Sequence, residues 1–167
     1  MRSRLLSIEQ VLTILSGSPQ RIATLTAGLA PAQLHTTPNP GEWSANDVLA
    51  HLRACNDVWG GNIVAIITQD QPTYKGVNPR AWIKKTDYLE QEFRPSLLTF
   101  TMQRTALLAA LEALPPESWS RTAIVIDMIG KRLERTVLSY ADALARHERT
   151  HLKQVERIVN TMRMEQG

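Results

Sequence analysis

Near the C-terminal end, His147-Glu148-Arg149-Thr150-His151 sets two imidazoles and a carboxylate within little more than one helical turn. On a helix, the i, i+4 spacing stacks both imidazoles on one face, about 5–6 Å apart at Cβ. From there both can chelate one metal ion. A zinc peptidase built on H-E-x-x-H needs a third ligand. The downstream extension that would supply one is missing, because Gln154 and Arg157 stand where its glycine and histidine would fall. A third imidazole lies upstream instead. His51 sits at the edge of an apolar face formed by Val48, Leu52, Cys55, Trp59, Ile63 and Ile66, placed at 100° per residue. His147 and His151 sit at the edge of a second face, Val137, Leu144, Leu152, Val155 and Val159. Three histidines at the margins of two core faces can hold a metal with one side open. They can equally be hydrogen-bonded core histidines. If they share a site, their rings converge on one point even without an ion. His35, in a proline-rich stretch, reads as solvated.

Other side chains on these faces widen the choice. Glu148 points toward the middle of its apolar face, an expensive place for a carboxylate. It is the candidate catalytic residue, a general base or a partner orienting a histidine. The alternative is an ion pair with an arginine from another helix. Asn62 and Tyr140 could orient a substrate or simply satisfy hydrogen bonds. Gln154, one turn after His151, could hydrogen-bond a ligand or cap the pocket floor. Cys55, one turn after His51, reads as a small buried hydrophobe before a thiolate ligand or nucleophile.

The elements that must position these residues are helical. Ile8, Val11, Leu12 and Leu15 repeat at helical spacing. Gly17-Ser18-Pro19 interrupts them, with Ser18 placed to cap a restart through Leu29, so the first helix is expected to be long and kinked. Pro31 to Glu42 reads as a loop. Ser44 with Asp47 forms a capping-box pattern, with Trp43 and Val48 as its staple. That helix should run to about Thr68, weakened at Gly60-Gly61 by about 1 kcal/mol per glycine. A long connection follows, with a helical turn around residues 80–84. The third helix should span about Pro95 to Leu114, its stripe being Leu97, Leu98, Thr101, Thr105, Leu108, Leu111 and Leu114. Residues 120–134 are β-prone, and Gly130 could turn a hairpin, yet the segment is read as an extended connection. The last helix runs from about Thr136 to Thr161. Four long helices with one long crossover describe a bundle, expected as one domain over 1–167.

Composition sets the remaining bounds. The 167 residues are 43% hydrophobic and 21% charged, which suits a folded domain rather than a disordered chain. No apolar run approaches the roughly 18 residues of a membrane span, so no membrane partner is expected. The lone cysteine forbids an intrachain disulfide and fits the cytoplasm. The net charge of +3 is spread along the chain without aromatic interleaving, so no nucleic-acid partner is expected.

Two segments resemble a known family. Gly41-Glu42-Trp43-Ser44 followed by Val48-Leu49-Ala50-His51-Leu52 is similar to the second-helix signature of the DinB-like proteins, and His147 through Val155 is similar to their last-helix signature. Leu114-Pro115-Pro116-Glu117-Ser118-Trp119 after the third helix adds to the likeness. The resemblance implies an all-α four-helix bundle of up-down-down-up topology. It implies a divalent metal, nickel or zinc, held by His51, His147 and His151. It implies bacterial relatives, including metal-dependent hydrolases and enzymes that transfer or isomerise with low-molecular-weight thiols. Three neutral nitrogens leave a 2+ ion positions for water or for a thiol, so hydrolysis and thiol transfer both follow. The expected partners are a small-molecule substrate, with a thiol as one form of it, and a second copy of the chain as a homodimer. The alternative is a metal-binding or stress-associated bundle without turnover. A weaker one is a DNA-associated protein, suggested by the family's name alone.

Overall fold

The computed structural model describes residues 3–165. Helix α1 (Ile8–Thr26) opens on a capping box, with the Gln10 amide donating to Ser7 Oγ and the Ser7 amide donating to Gln10 Oε1. The first helix is long, as expected, and α1 runs through Gly17-Ser18-Pro19 as one α-helix. Ser18 caps no restart. Its hydroxyl donates back to the Ile14 carbonyl at 2.8 Å. Pro19 has no N–H to give the Leu15 carbonyl four residues earlier. That carbonyl accepts instead from Arg104 Nη1 at 3.0 Å. A neighbouring helix thus supplies the donor that the proline removes.

A single turn, α2 (Pro31–Leu34), forms within the stretch expected to be loop. Helix α3 (Ala45–Cys55) begins where the capping box places it. Asp47 N–H reaches Ser44 Oγ at 3.1 Å, and Ser44 N–H reaches Asp47 Oδ2 at 2.8 Å. The rod widens into a π-helical turn, Asn56–Gly60, and continues as α4 (Gly61–Thr68). The weak middle foreseen at the glycine pair is therefore a change of helical pitch, a feature common at functional sites.

The crossover carries β1 (Thr73–Lys75), α5 (Pro79–Trp82) and a 3₁₀ turn, Ile83–Lys85. Helix α6 (Phe93–Glu112) turns a different face inward from the one expected. Phe93, Ser96, Leu97, Phe100, Arg104, Leu107 and Leu111 are buried, while Leu98 is 63% exposed. The residues 120–134 are not a mere connection. Strands β2 (Thr122–Ile126) and β3 (Arg132–Thr136) form a hairpin turned at Gly130, whose φ of 82° lies in the left-handed region. Strand β1 joins β2 in parallel, giving the order β1-β2-β3. Thr136 then caps α7 (Val137–Met164).

The four long helical rods are α1, α3 with α4, α6 and α7, a four-helix bundle. Side-chain links ascend α1 and α7 together, from Leu6–Asp142 to Arg21–Glu156 and Leu25–Arg163. They also ascend α3 and α6 together, from Arg53–Ser96 to Asn56–Arg104. The core divides in two. One part gathers Val11, Leu15, Cys55, Ile63, Leu107, Leu111 and Leu144, and packs under the sheet residues Ala123 and Val125. The other gathers Ile22, Leu49, Leu52, Phe93, Phe100, Val155 and Val159. Along every rod a buried polar residue falls at this division: Ser18, Asn56, Arg104 and Glu148. Arg104 and Glu148 are both fully buried and meet in a two-pronged pair, at 2.6 and 2.7 Å. Arg104 Nε also donates to Asn56 Oδ1 at 3.2 Å. With the Leu15 carbonyl, this network fixes the four rods at one level. No helix among the described residues is long and apolar enough to cross a membrane.

Candidate metal centre

The three histidines come from two rods at the level of the polar belt. His51 lies on α3, two turns beyond the Ser44 cap, and is 5% exposed. His147 and His151 lie on α7 and are half-buried. His147 Nε2 is 3.2 Å from His51 Nε2 and 3.1 Å from His151 Nε2. One ligand atom from each ring lies within 4.8 Å of the other two. Three nitrogens about 2.05 Å from one ion stand about 2.9 Å apart at right angles and about 3.3 Å apart in a tetrahedron. The two contacts at His147 fall between those values.

Protonation follows the hydrogen bonds. Gln154 Oε1 lies 2.8 Å from His151 Nδ1, and an amide oxygen only accepts. The proton is therefore on Nδ1, and His151 Nε2 presents a lone pair to the cluster. Gln154 thus bonds a member of the triad, and it also lines a cleft beside His151. Burial lowers the His51 pKa to about 4, assisted by His151, His147 and Arg80. It lowers His147 to about 4 as well, assisted by His151 and Arg80. His151 is also lowered, by burial first. Neutral imidazoles are the form that binds a cation. The donor set, the His151 tautomer and the two spacings at His147 fit a divalent ion, with the His51 and His151 ligand atoms within 4.8 Å of each other.

Aromatic rings wall the cluster. Trp43 stacks on His151 at 6.0 Å with an 8° interplanar angle, and tilts against His51 at 5.2 Å. Trp59, from the π-helical turn, sets its edge on His147 at 5.1 Å. A cleft of about 560 Å³ opens beside His151, bordered by Trp43, Arg80, Gln154 and Arg157.

The other candidates sort differently. Glu148 is next to His147 in sequence, but both its carboxylate oxygens bond Arg104. This is the ion pair with an arginine from another helix, because a buried carboxylate needs a cation and Arg104 supplies it. Cys55 Sγ lies 3.5 Å from His51 Nε2, and burial, with Glu148 nearby, pushes its thiol up to about 12. It is a protonated neighbour of the site. Tyr140 is engaged elsewhere, accepting from the Tyr74 hydroxyl at 3.3 Å beneath the Arg135 guanidinium. Asn62 is half-buried and makes no hydrogen bond to the triad. His35 faces Glu92 at 3.5 Å, away from the cluster. Three participants carried no sequence signal of this role: Arg80, Arg104 and the π-turn that aims Trp59. The position of Trp43, two turns before His51, could have pointed to its stacking.

A family model described as the DinB superfamily matches residues 14–155, a span that contains all three histidines. The chain belongs to the DinB superfamily. Among solved structures, this bundle is similar to YfiT from Bacillus subtilis, with a TM-score of 0.79 at 16% sequence identity. The match covers 97% of this chain and 93% of that one. YfiT is described as "a probable metal-dependent hydrolase with an unusual four-helix bundle topology". No curated protein matches the sequence.

Proposed function

We propose that His51, His147 and His151 bind one divalent metal ion, nickel or zinc, and that the protein uses it in chemistry on a small molecule. The reaction is hydrolysis or transfer of a low-molecular-weight thiol. The convergence of three imidazole nitrogens, at 3.1 and 3.2 Å across His147, carries this reading. The description of YfiT, which shares the fold, supports the hydrolytic form. An ion bound there lowers the pKa of a water or thiol and so supplies a nucleophile at neutral pH. The chain's own residues keep the imidazoles neutral by burial, fix the His151 tautomer through Gln154, and exclude bulk water with Trp43 and Trp59. Only three ligating side chains converge among the described residues, and a cleft reaches His151, which is the arrangement of an open site rather than a closed structural one.

Metal analysis of freshly purified protein tests the reading, followed by zinc and nickel titration of the stripped chain. One ion per chain is expected, with most of that affinity lost in His51→Ala, His147→Ala and His151→Ala. Retention of full metal content by any of the three variants would remove that residue from the site. A thiol and ester substrate panel on the loaded protein then separates transfer from hydrolysis.

A further inference from the structure

The cleft beside His151 carries more positive charge than its neighbourhood explains. Arg80 is exposed, with its guanidinium 5.5 Å from the centre of the Trp43 ring, the same ring that stacks on His151. Arg157 borders the cleft one turn and a half after His151. Among the described residues, neither arginine lies within ion-pair distance of a carboxylate. Glu42 also lines the cleft, but it accepts from the Asn39 amide at 3.1 Å and pairs with neither arginine. The placement of Arg80 is built rather than incidental. The Asn78 side chain caps α5 by accepting from the Arg80 amide at 2.9 Å, and Trp82 Nε1 ties the same turn to Asp57 at 3.1 Å. Arg80 is close enough to help lower all three histidines. Two unpaired cations beside a centre suited to a 2+ ion repel it and each other. An incoming negative charge reverses the sign of that interaction.

We propose that the cleft selects small substrates bearing an oxyanion, and that Arg80 binds the oxyanion while the reactive end of the same molecule reaches the histidine centre. This rests on the metal reading above. A guanidinium fork suits a planar carboxylate or a tetrahedral oxyanion in two-point contact, and the Trp43 ring, which stacks on His151, lies 5.5 Å from it.

The test uses the full chain loaded with Co²⁺ under anaerobic conditions, with thiolate-to-cobalt absorption as the readout. Four thiols of matched reach are titrated: 2-mercaptoethanol, 3-mercaptopropionate, 2-mercaptoethanesulfonate and cysteamine. Comparing each thiol between wild type and Arg80→Gln cancels its own acidity. Arg80→Gln should weaken one or both anionic thiols by about tenfold or more, the worth of a charge-assisted contact. The 2-mercaptoethanol affinity should stay within about twofold, and cysteamine should bind no worse. A larger loss for the carboxylate assigns a planar anion, and a larger loss for the sulfonate a tetrahedral one. Equal effects on all four thiols, or on none, overturn the role of Arg80 while leaving the metal site standing. Failure of cobalt to bind overturns the metal reading, and this inference with it.

Discussion

The buried polar belt makes a prediction that can be worked through from its contacts. Besides Asn56, Arg104 serves two acceptors whose needs have different origins: the Glu148 carboxylate, and the Leu15 carbonyl orphaned by Pro19. Removing Arg104 alone leaves a buried carboxylate without its cation, at about 3–5 kcal/mol. It also leaves a buried carbonyl unsatisfied, at about 1–3 kcal/mol. The sum rivals the whole stability of a typical domain, so Arg104→Leu alone should fail to accumulate in folded form. The Arg104→Leu, Glu148→Leu pair removes both charges together and should recover most of the first cost. It cannot recover the second, because Leu15 still lacks a donor. Adding Pro19→Ala returns the missing N–H to the Leu15 carbonyl within α1. Urea unfolding of four chains measures the effect: wild type, Pro19→Ala, the double leucine variant and the triple variant. Pro19→Ala should stabilise the double variant by about 1 kcal/mol more than it stabilises wild type, where Arg104 already serves that carbonyl. An equal effect of Pro19→Ala in both backgrounds would refute the claim that Arg104 compensates for the proline.

Three further outcomes follow from the site and the surface. In the metal-free protein, His51 and His147 have folded pKa values near 4 against about 6.5 unfolded, so the unfolded chain binds more protons between those values. Stability should be fully present above about pH 6.5 and fall as pH drops toward about 4, and thermal melts of His51→Ala, His147→Ala should show a flatter decline. Gln154→Leu removes the acceptor that fixes the His151 tautomer, and competition against a chelator should show metal affinity lowered by about 10–100-fold with the fold intact by circular dichroism. We propose a homodimer through the outer faces of α1 or α6, where Leu98 and Met102 are exposed, and light scattering at micromolar concentration should give twice the chain mass.

Helix ends were legible wherever a side chain made the boundary itself. Ser44 with Asp47, and Thr136 before α7, fix their N-termini through local bonds that sequence spacing exposes. The inward face of α6 was not legible by the same means. Its periodicity supports a stripe through Leu98 and Leu108 as well as one through Phe100 and Leu107. The choice falls to Arg104, a residue that hydrophobicity ranks outside but that enters the core because Glu148 on α7 is there to meet it. The uninterrupted α1 has the same origin, since the donor that serves the Leu15 carbonyl in place of Pro19 comes from 89 residues away, the side chain of Arg104. The hairpin was half-legible. Its strand composition and Gly130 were visible, but the partner strand β1 lies about fifty residues earlier in the crossover.

The centre shows the same division between near and far. The spacing of His147 and His151 stacks them by helical geometry alone, and His51 could be placed on a core edge from its own helix. What brings His51 to them is the packing of α3 on α7, and that depends on the buried belt one turn away. Glu148 is the link between the two. It is adjacent to His147 in sequence, yet it serves the belt by holding Arg104, and Arg104 holds Asn56 at the first residue of the π-helical turn. That turn presents Trp59 to His147. The carboxylate inside H-E-x-x-H is therefore tied to the histidines through packing. It sets the level of α7 against α3 and the wider turn that closes one wall of the site. The residue that faces the open wall, Arg80, comes from the crossover, where no pattern of spacing connects it to the histidines. Its place depends on Asn78 capping α5 and on Asp57, inside the π-turn, receiving Trp82. The same five-residue change of pitch thus aims an aromatic ring at one face of the triad and anchors the segment that carries a cation to the other.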